Sequence, residues 1–443
     1  MRLMSERGRA VRARRRRDVG RTGRLGLVVL GLGLALGAAA PAAPAQETAD
    51  LYRRTPHTGD DPFAGLVQGR PSLRMTSRAS GGNNTLDMEG MGAILFLSER
   101  DSLRATDALD ALGLVPRGEG IRGDAAAGAR FRIGVPVTGG LTLGLGVQSR
   151  AYGTFQVDDD AVALLRDGNG ARSDFRLGET RGDGLLTAEI GAHGVWRPSG
   201  SSGPGASRGD GPRLAIGAGV RYARPLYYAR ARSLLEDEGH VHVSGDSVRA
   251  RISVATDRTP SLGYEGRGIL VDAMTRLEWP ETGVALEASV RDLGAVRVPR
   301  LERRREDLDL SITRLDSVID AVESLSFDVR DTVSATVSPP AIVGMTASVW
   351  SWRPLQLDGR LRVPVNGDFG RTPPSGEVMS TLRLGNVPLR AGIRLGGRQG
   401  VGGRFGIGLE TRSLFVRGSA FSSGGMGARA RGLGARLDVG FWF

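Results

Sequence analysis

Cysteine is absent from this 443-residue chain. Disulfides, thiolate metal sites and an acylated lipoprotein cysteine are thereby excluded. Lysine is absent as well, so all 60 basic residues are arginine, a usage that GC-rich codons explain. Aromatic residues make up 5 %, and the only histidines are His57, His193, His240 and His242. Beyond residue 46 no stretch approaches the roughly 18 apolar residues of a helical membrane span.

A formal net charge of +12 would ordinarily suggest nucleic acid. Residues 1–45, however, hold ten arginines against Glu6 and Asp18, a net of +8. Subtracting +8 from +12 leaves +4 for the remainder of the chain. That near balance removes the argument, and no nucleic-acid partner is expected.

The first 45 residues read as an export signal. Arg12 to Arg24 form a positive region, Leu25 to Ala40 an apolar one, and Ala43-Pro44-Ala45 an A-x-A cleavage pattern near Ala45. Residues 46–71 are expected to form a periplasmic or plug segment, and residues 72–443 the main domain. An exported chain without a helical span is periplasmic, secreted or embedded in a bacterial outer membrane.

Strand patterning selects the last of these. Leu141, Leu143, Leu145 and Val147 alternate with Thr142, Gly144 and Gly146. Leu214, Ile216, Ala218 and Val220 alternate with Ala215, Gly217 and Gly219, and Leu389 to Gly396 alternates apolar residues with arginine and glycine. Apolar residues on one face with glycine and arginine on the other fit a lipid-facing wall around a wet lumen. The expected fold is all-β: a transmembrane, antiparallel up-and-down barrel of about 14 strands, within roughly 12–16, carrying short helical plug or lid insertions.

The terminal segment carries the strongest signal. Leu433, Ala435, Leu437, Val439, Phe441 and Phe443 share one face. An aromatic last residue on such a face resembles the mark by which the barrel-assembly machinery recognises its clients, so Leu437, Val439, Phe441 and Phe443 are the candidate assembly signal. With the termini in the periplasm, the tight connections 410–412, 385–388 and 352–355 belong to that side, and 365–375 lies outside. The membrane-interface candidates are Tyr222, Tyr227, Tyr228, Trp279, Trp350 and Trp352.

Three segments read as helical: 99–114, 158–166 and 301–327. In the last, Leu308, Ile312, Leu315, Ile319 and Val322 recur at helical spacing, which predicts an amphipathic lid or partner-binding helix within an extracellular insertion over about 297–338. Candidate chemistry is sparse. His240 and His242 would share a strand face, but a solvated loop edge explains them, and no metal or cofactor is expected. The glycine-rich stretch 396–408 lacks the lysine and following helix of a phosphate loop. The Arg-Gly-Asp triplets at 122–124, 181–183 and 208–210 are coincidental in a chain of this composition. No nucleophile signature marks an enzyme.

Several loose motifs add a resemblance: Val290-Arg-Asp-Leu-Gly-Ala-Val296, the strand entry from Pro339 to Ala347, Pro388-Leu-Arg-Ala-Gly-Ile-Arg394, Phe405-Gly-Ile-Gly-Leu409 and the terminal strand. Together they cover about a third of the chain and are similar to the fatty-acid-transporter (FadL-like) superfamily, including its TraF-like relatives. The resemblance implies a 14-strand barrel with N-terminal plug elements. Its characterised members pass hydrophobic molecules or act as secretion scaffolds. The short region 46–71 departs from the family by leaving little room for a full hatch domain, and no ligand-binding residue carries over. Two functions follow as expectations. One is passive uptake of small hydrophobic or amphipathic solutes, which predicts an apolar luminal cavity or lateral gap. The other is a non-transporting scaffold, which predicts a lumen filled by arginine–carboxylate networks.

Overall fold

The computed structural model describes residues 61–443 except for several stretches, the longest being 88–112, 199–211 and 313–325. The predicted export signal and most of helix 99–114 lie outside the described residues.

Alternation between lipid and lumen drives nearly every described segment into extended structure. The strands are β1 (Ser72–Asn83), β2 (Ile121–Thr138), β3 (Leu141–Val157), β4 (Asp174–Arg176), β5 (Arg181–Trp196) and β6 (Arg213–Ser233). There follow β7 (His240–Ser244), β8 (Ser247–Arg258), β9 (Arg267–Trp279), β10 (Val284–Ile312), β11 (Ser326–Val337) and β12 (Ala341–Trp352). The last six are β13 (Leu355–Val365), β14 (Ser375–Leu384), β15 (Val387–Gly396), β16 (Gly402–Glu410), β17 (Leu414–Ser423) and β18 (Gly432–Trp442). One helix, α1 (Asp159–Asp167), lies between β3 and β4.

A closed antiparallel ring of 14 strands results. It is formed by every strand but β4, β7, β8 and β11. Closure comes from β1 against β18, in register from Ser72↔Trp442 to Gly82↔Gly432, so no ring edge is left unpaired. Both ends of the described chain sit at one mouth, together with the tight turns 385–386, 411–413 and 353–354, as the loop lengths predict.

The other four strands extend the sheet beyond the opposite mouth. Strand β8 lies above β9: it pairs with the top of β6 through Ala229↔Arg258 and with the top of β10 through Glu302↔Arg258. Alternation alone cannot name a strand's partner. In the structure β6 pairs directly with β9, and β7 and β8 form a hairpin outside the ring.

The amphipathic helix expected over 301–327 is also corrected. Leu308 and Ile312 lie on β10, one long bulged strand from Val284 to Ile312, and residues 326–337 form β11. Leu315, Ile319 and Val322 lie outside the described residues. The spacing of Leu308, Leu310 and Ile312 fits a period of two as well as a helix. The partners settle the choice: β8 pairs continuously with Glu302–Ile312, and β11 pairs with the segment up to Asp307, so backbone hydrogen bonds hold it extended. Helix 158–166 does form, as α1. It packs at the mouth away from the termini, Val162 against Leu86, Val115 and Ile121, and so does not cover the periplasmic opening.

Candidate functional site

Outward and inward positions separate as the alternation requires. Leu145, Ile190, Ile269, Ile393 and Phe405 are each at least 58 % exposed although strongly apolar, and they stand on the outer face. On the same face lie Leu433 and Phe443, the latter 79 % exposed. Such a belt is stable only in lipid, because water would penalise each exposed side chain. The chain is a transmembrane β-barrel.

The barrel's interior is polar and ion-paired. At mid-height, five neighbouring strands feed one network. Arg150 on β3 pairs with Glu189 on β5 at 2.7 Å and with Asp292 on β10 at 2.5 Å. Arg221 on β6 reaches Glu189 and Asp292 at 2.5 Å each and holds Asp272 on β9 at 2.8 Å. His193 Nε2 lies 3.0 Å from Asp272, and Gln148 and Thr187 donate to Glu189. Burying these charges is tolerable only because each has charged hydrogen-bond partners.

Asp292 accepts from both arginines of this network. It sits at φ 63°, a left-handed conformation uncommon for a side-chain-bearing residue, beside a register shift between β9 and β10. The bulge turns its carboxylate to both arginines, while its N–H donates to Asp272 at 3.0 Å. The motif Val290–Val296, noted in the sequence for its resemblance, is this bulge. Two further clusters line the wall: Arg74 with Asp438 and Thr76, and Glu410 with Arg383 at 2.5 Å and Arg417 at 2.6 Å.

Below the network, at the termini's mouth, Asp61–Gln68 folds into the lumen as a plug. Phe63 and Leu66 are fully buried against Val195, Ala215 and Met274. Glycines on the luminal face make their room. A Cβ on Gly144 would stand 2.9 Å from Leu66, and one on Gly217 would stand 2.8 Å from the Phe63 ring. Arg132 clasps the plug by donating to the Ala64 carbonyl. Phe63 meets His193 edge-on with ring centroids 5.6 Å apart, so the plug touches the ion-pair network.

Above the network an outer vestibule of about 230 Å³ remains. Arg78, Arg360, Arg362, Arg394 and Arg404 reach it, as do the apolar surfaces of Tyr152, Phe369, Pro340 and Pro364. Glu377 counters Arg404 at 2.9 Å. Arg360 Nη1 stands 3.8 Å from the same carboxylate and makes no hydrogen bond. The alternating arginines were legible in sequence, but their grouping around a vestibule was not.

Other expected residues are placed as follows. Leu437, Val439, Phe441 and Phe443 all lie on the outer face of β18 or just beyond it. Tyr222 and Tyr227 face outward, whereas Tyr228 and Trp350 are buried and cannot anchor at the interface. Tyr228 packs with Leu185 and Leu301 above the belt, where burial pushes its phenol up to about 12. His242 Nδ1 lies 2.7 Å from Asp174 on an exposed edge. Among the described residues no group of His, Asp and Glu is placed to hold a metal. Residues 396–408 span the end of β15, the turn 397–401 and most of β16.

No protein-family model matches the chain, and no curated protein matches its sequence. Solved structures with a similar fold include the Ralstonia pickettii toluene transporter TbuX, at 8 % identity and TM-score 0.46, over 84 % of this chain and 90 % of that one. A Pseudomonas aeruginosa FadL homologue follows at 9 % identity and TM-score 0.42, over 86 % and 92 %. The P. putida toluene transporter TodX has 9 % identity and TM-score 0.45, over 84 % and 90 %.

Proposed function

We propose that this barrel resides in the bacterial outer membrane, after export and cleavage near Ala45, and admits small solutes passively. The solutes are amphipathic rather than wholly apolar. One observation carries this: the vestibule combines guanidinium groups with aromatic and proline surfaces, so a molecule bearing both a polar group and an apolar body finds partners for each. Passage then requires movement of the short plug, held by the apolar side chains of Phe63, Leu66 and Val67 and by the Arg132 clasp.

Planar-bilayer conductance and liposome uptake of the refolded mature chain test the reading. Uptake of an amphipathic probe, increased when residues 61–69 are deleted, supports it. A folded barrel that passes nothing even without the plug overturns it and leaves the scaffold reading. That second reading is favoured by one observation, the ion-paired network across mid-lumen that a scaffold would keep permanently closed.

A further inference from the structure

On the outer wall, three arginines stand side by side. Arg224 on β6, Arg267 on β9 and Arg297 on β10 are all exposed. Arg267 and Arg297 are direct cross-strand partners. The pairing of Ala223 with Gly268 sets Arg224 beside Arg267. Alternation aims all three outward, in step with Tyr222, Ile269 and Leu293, which are 47 %, 61 % and 51 % exposed.

Like charges opposite one another on a sheet face destabilise it. The next positions along the row, Ala188 and Thr336, are uncharged. Among the described residues no carboxylate pairs with Arg267 or Arg297, and Glu265, on the same rim, is held by Arg300 at 2.9 Å. Arg224 donates to the Gly263 carbonyl at 3.0 Å, which fixes its side chain at the rim.

Height identifies the anion that the pair Arg267 and Arg297 would meet. Directly toward the termini, the outward face of β9 is predominantly apolar from Ile269 to Trp279, the length with which a tilted strand crosses the hydrocarbon core. The arginine row therefore begins where outer-leaflet headgroups begin. Guanidinium forks match phosphate oxygens two at a time. Three strands span two inter-strand spacings, roughly 10 Å, which suits a headgroup with separated phosphates better than a single phosphodiester.

We propose that Arg224, Arg267 and Arg297 bind the phosphates of an outer-leaflet glycolipid, whose acyl chains lie over Tyr222, Ile269 and Leu293. The proposal rests on outer-membrane placement and is independent of solute passage. The test uses the refolded mature barrel in detergent, incubated separately with bisphosphorylated lipid A, dephosphorylated lipid A and phosphatidylglycerol, then repurified. Bound lipid is counted by native mass spectrometry. The wild type is expected to retain bisphosphorylated lipid A, with retention at least about tenfold lower in R267Q/R297Q and for the dephosphorylated lipid. Heat-modifiable migration and unchanged conductance confirm that the variant is folded; R297Q alone, with an intermediate loss, serves if the double variant does not fold. Equal retention by the folded variant, or equal retention of phosphatidylglycerol, overturns the proposal. A barrel that conducts nothing yet binds lipid A refutes only the transport reading.

Discussion

Arg221 shows how a single side chain can hold the barrel interior together. It bridges Glu189, Asp272 and Asp292, which stand on three other strands. Replacing it by glutamine leaves three buried carboxylates short of charge, with Arg150 and His193 remaining as ion-pair partners. We expect Arg221→Gln to destabilise the folded barrel by about 3–5 kcal/mol, read as a lowered urea midpoint in detergent or liposomes. An unchanged midpoint would mean that water already solvates the cluster. The sequence made these arginines luminal by their alternation with apolar residues. It could not pair them, because Arg150 and Asp292 lie 142 positions apart and meet only once the ring closes.

Among the elements, the plug is the most open to manipulation. Phe63 and Leu66 supply its buried apolar contacts, so the double substitution Phe63→Ala, Leu66→Ala removes several kcal/mol of burial. Its expected signature is higher single-channel conductance than the wild type, with unchanged heat-modifiable migration. Gly144→Leu attacks the same seat from the wall, since a Cβ there already crowds Leu66 at 2.9 Å. The plug should then become sensitive to protease while the wall stays protected; an uncut plug would show that the seat can widen. The sequence left residues 46–71 as a periplasmic or plug segment without choosing between the two. At β10 it misled, because Leu308 and Ile312 satisfy helical and strand periods alike, and neighbouring strands selected the second.

At the scale of the whole molecule, the lumen is layered: plug, ion-paired belt, basic vestibule. The excess of guanidinium in the outermost layer should make a plug-deleted barrel anion-selective, seen as a reversal potential shifted toward chloride in a salt gradient. Arg394→Glu should weaken that preference, and a cation-selective pore would contradict the assigned field. Deleting Phe443 belongs to this scale as well. Assembly in cells should fall while refolding in vitro proceeds, because the outward terminal aromatic makes little of the interior packing.

The sequence by itself determined the fold class, the inward and outward faces, the side on which the short turns lie, and most strand positions. Each follows from local alternation between two solvents, which every segment records independently. Tertiary structure alone decided that β8 leaves the wall, that β10 extends as a strand, and that Asp292 lies between Arg150 and Arg221. These outcomes depend on which strands become neighbours and on a bulge in one ladder. Such long-range pairings leave no periodic trace in the chain.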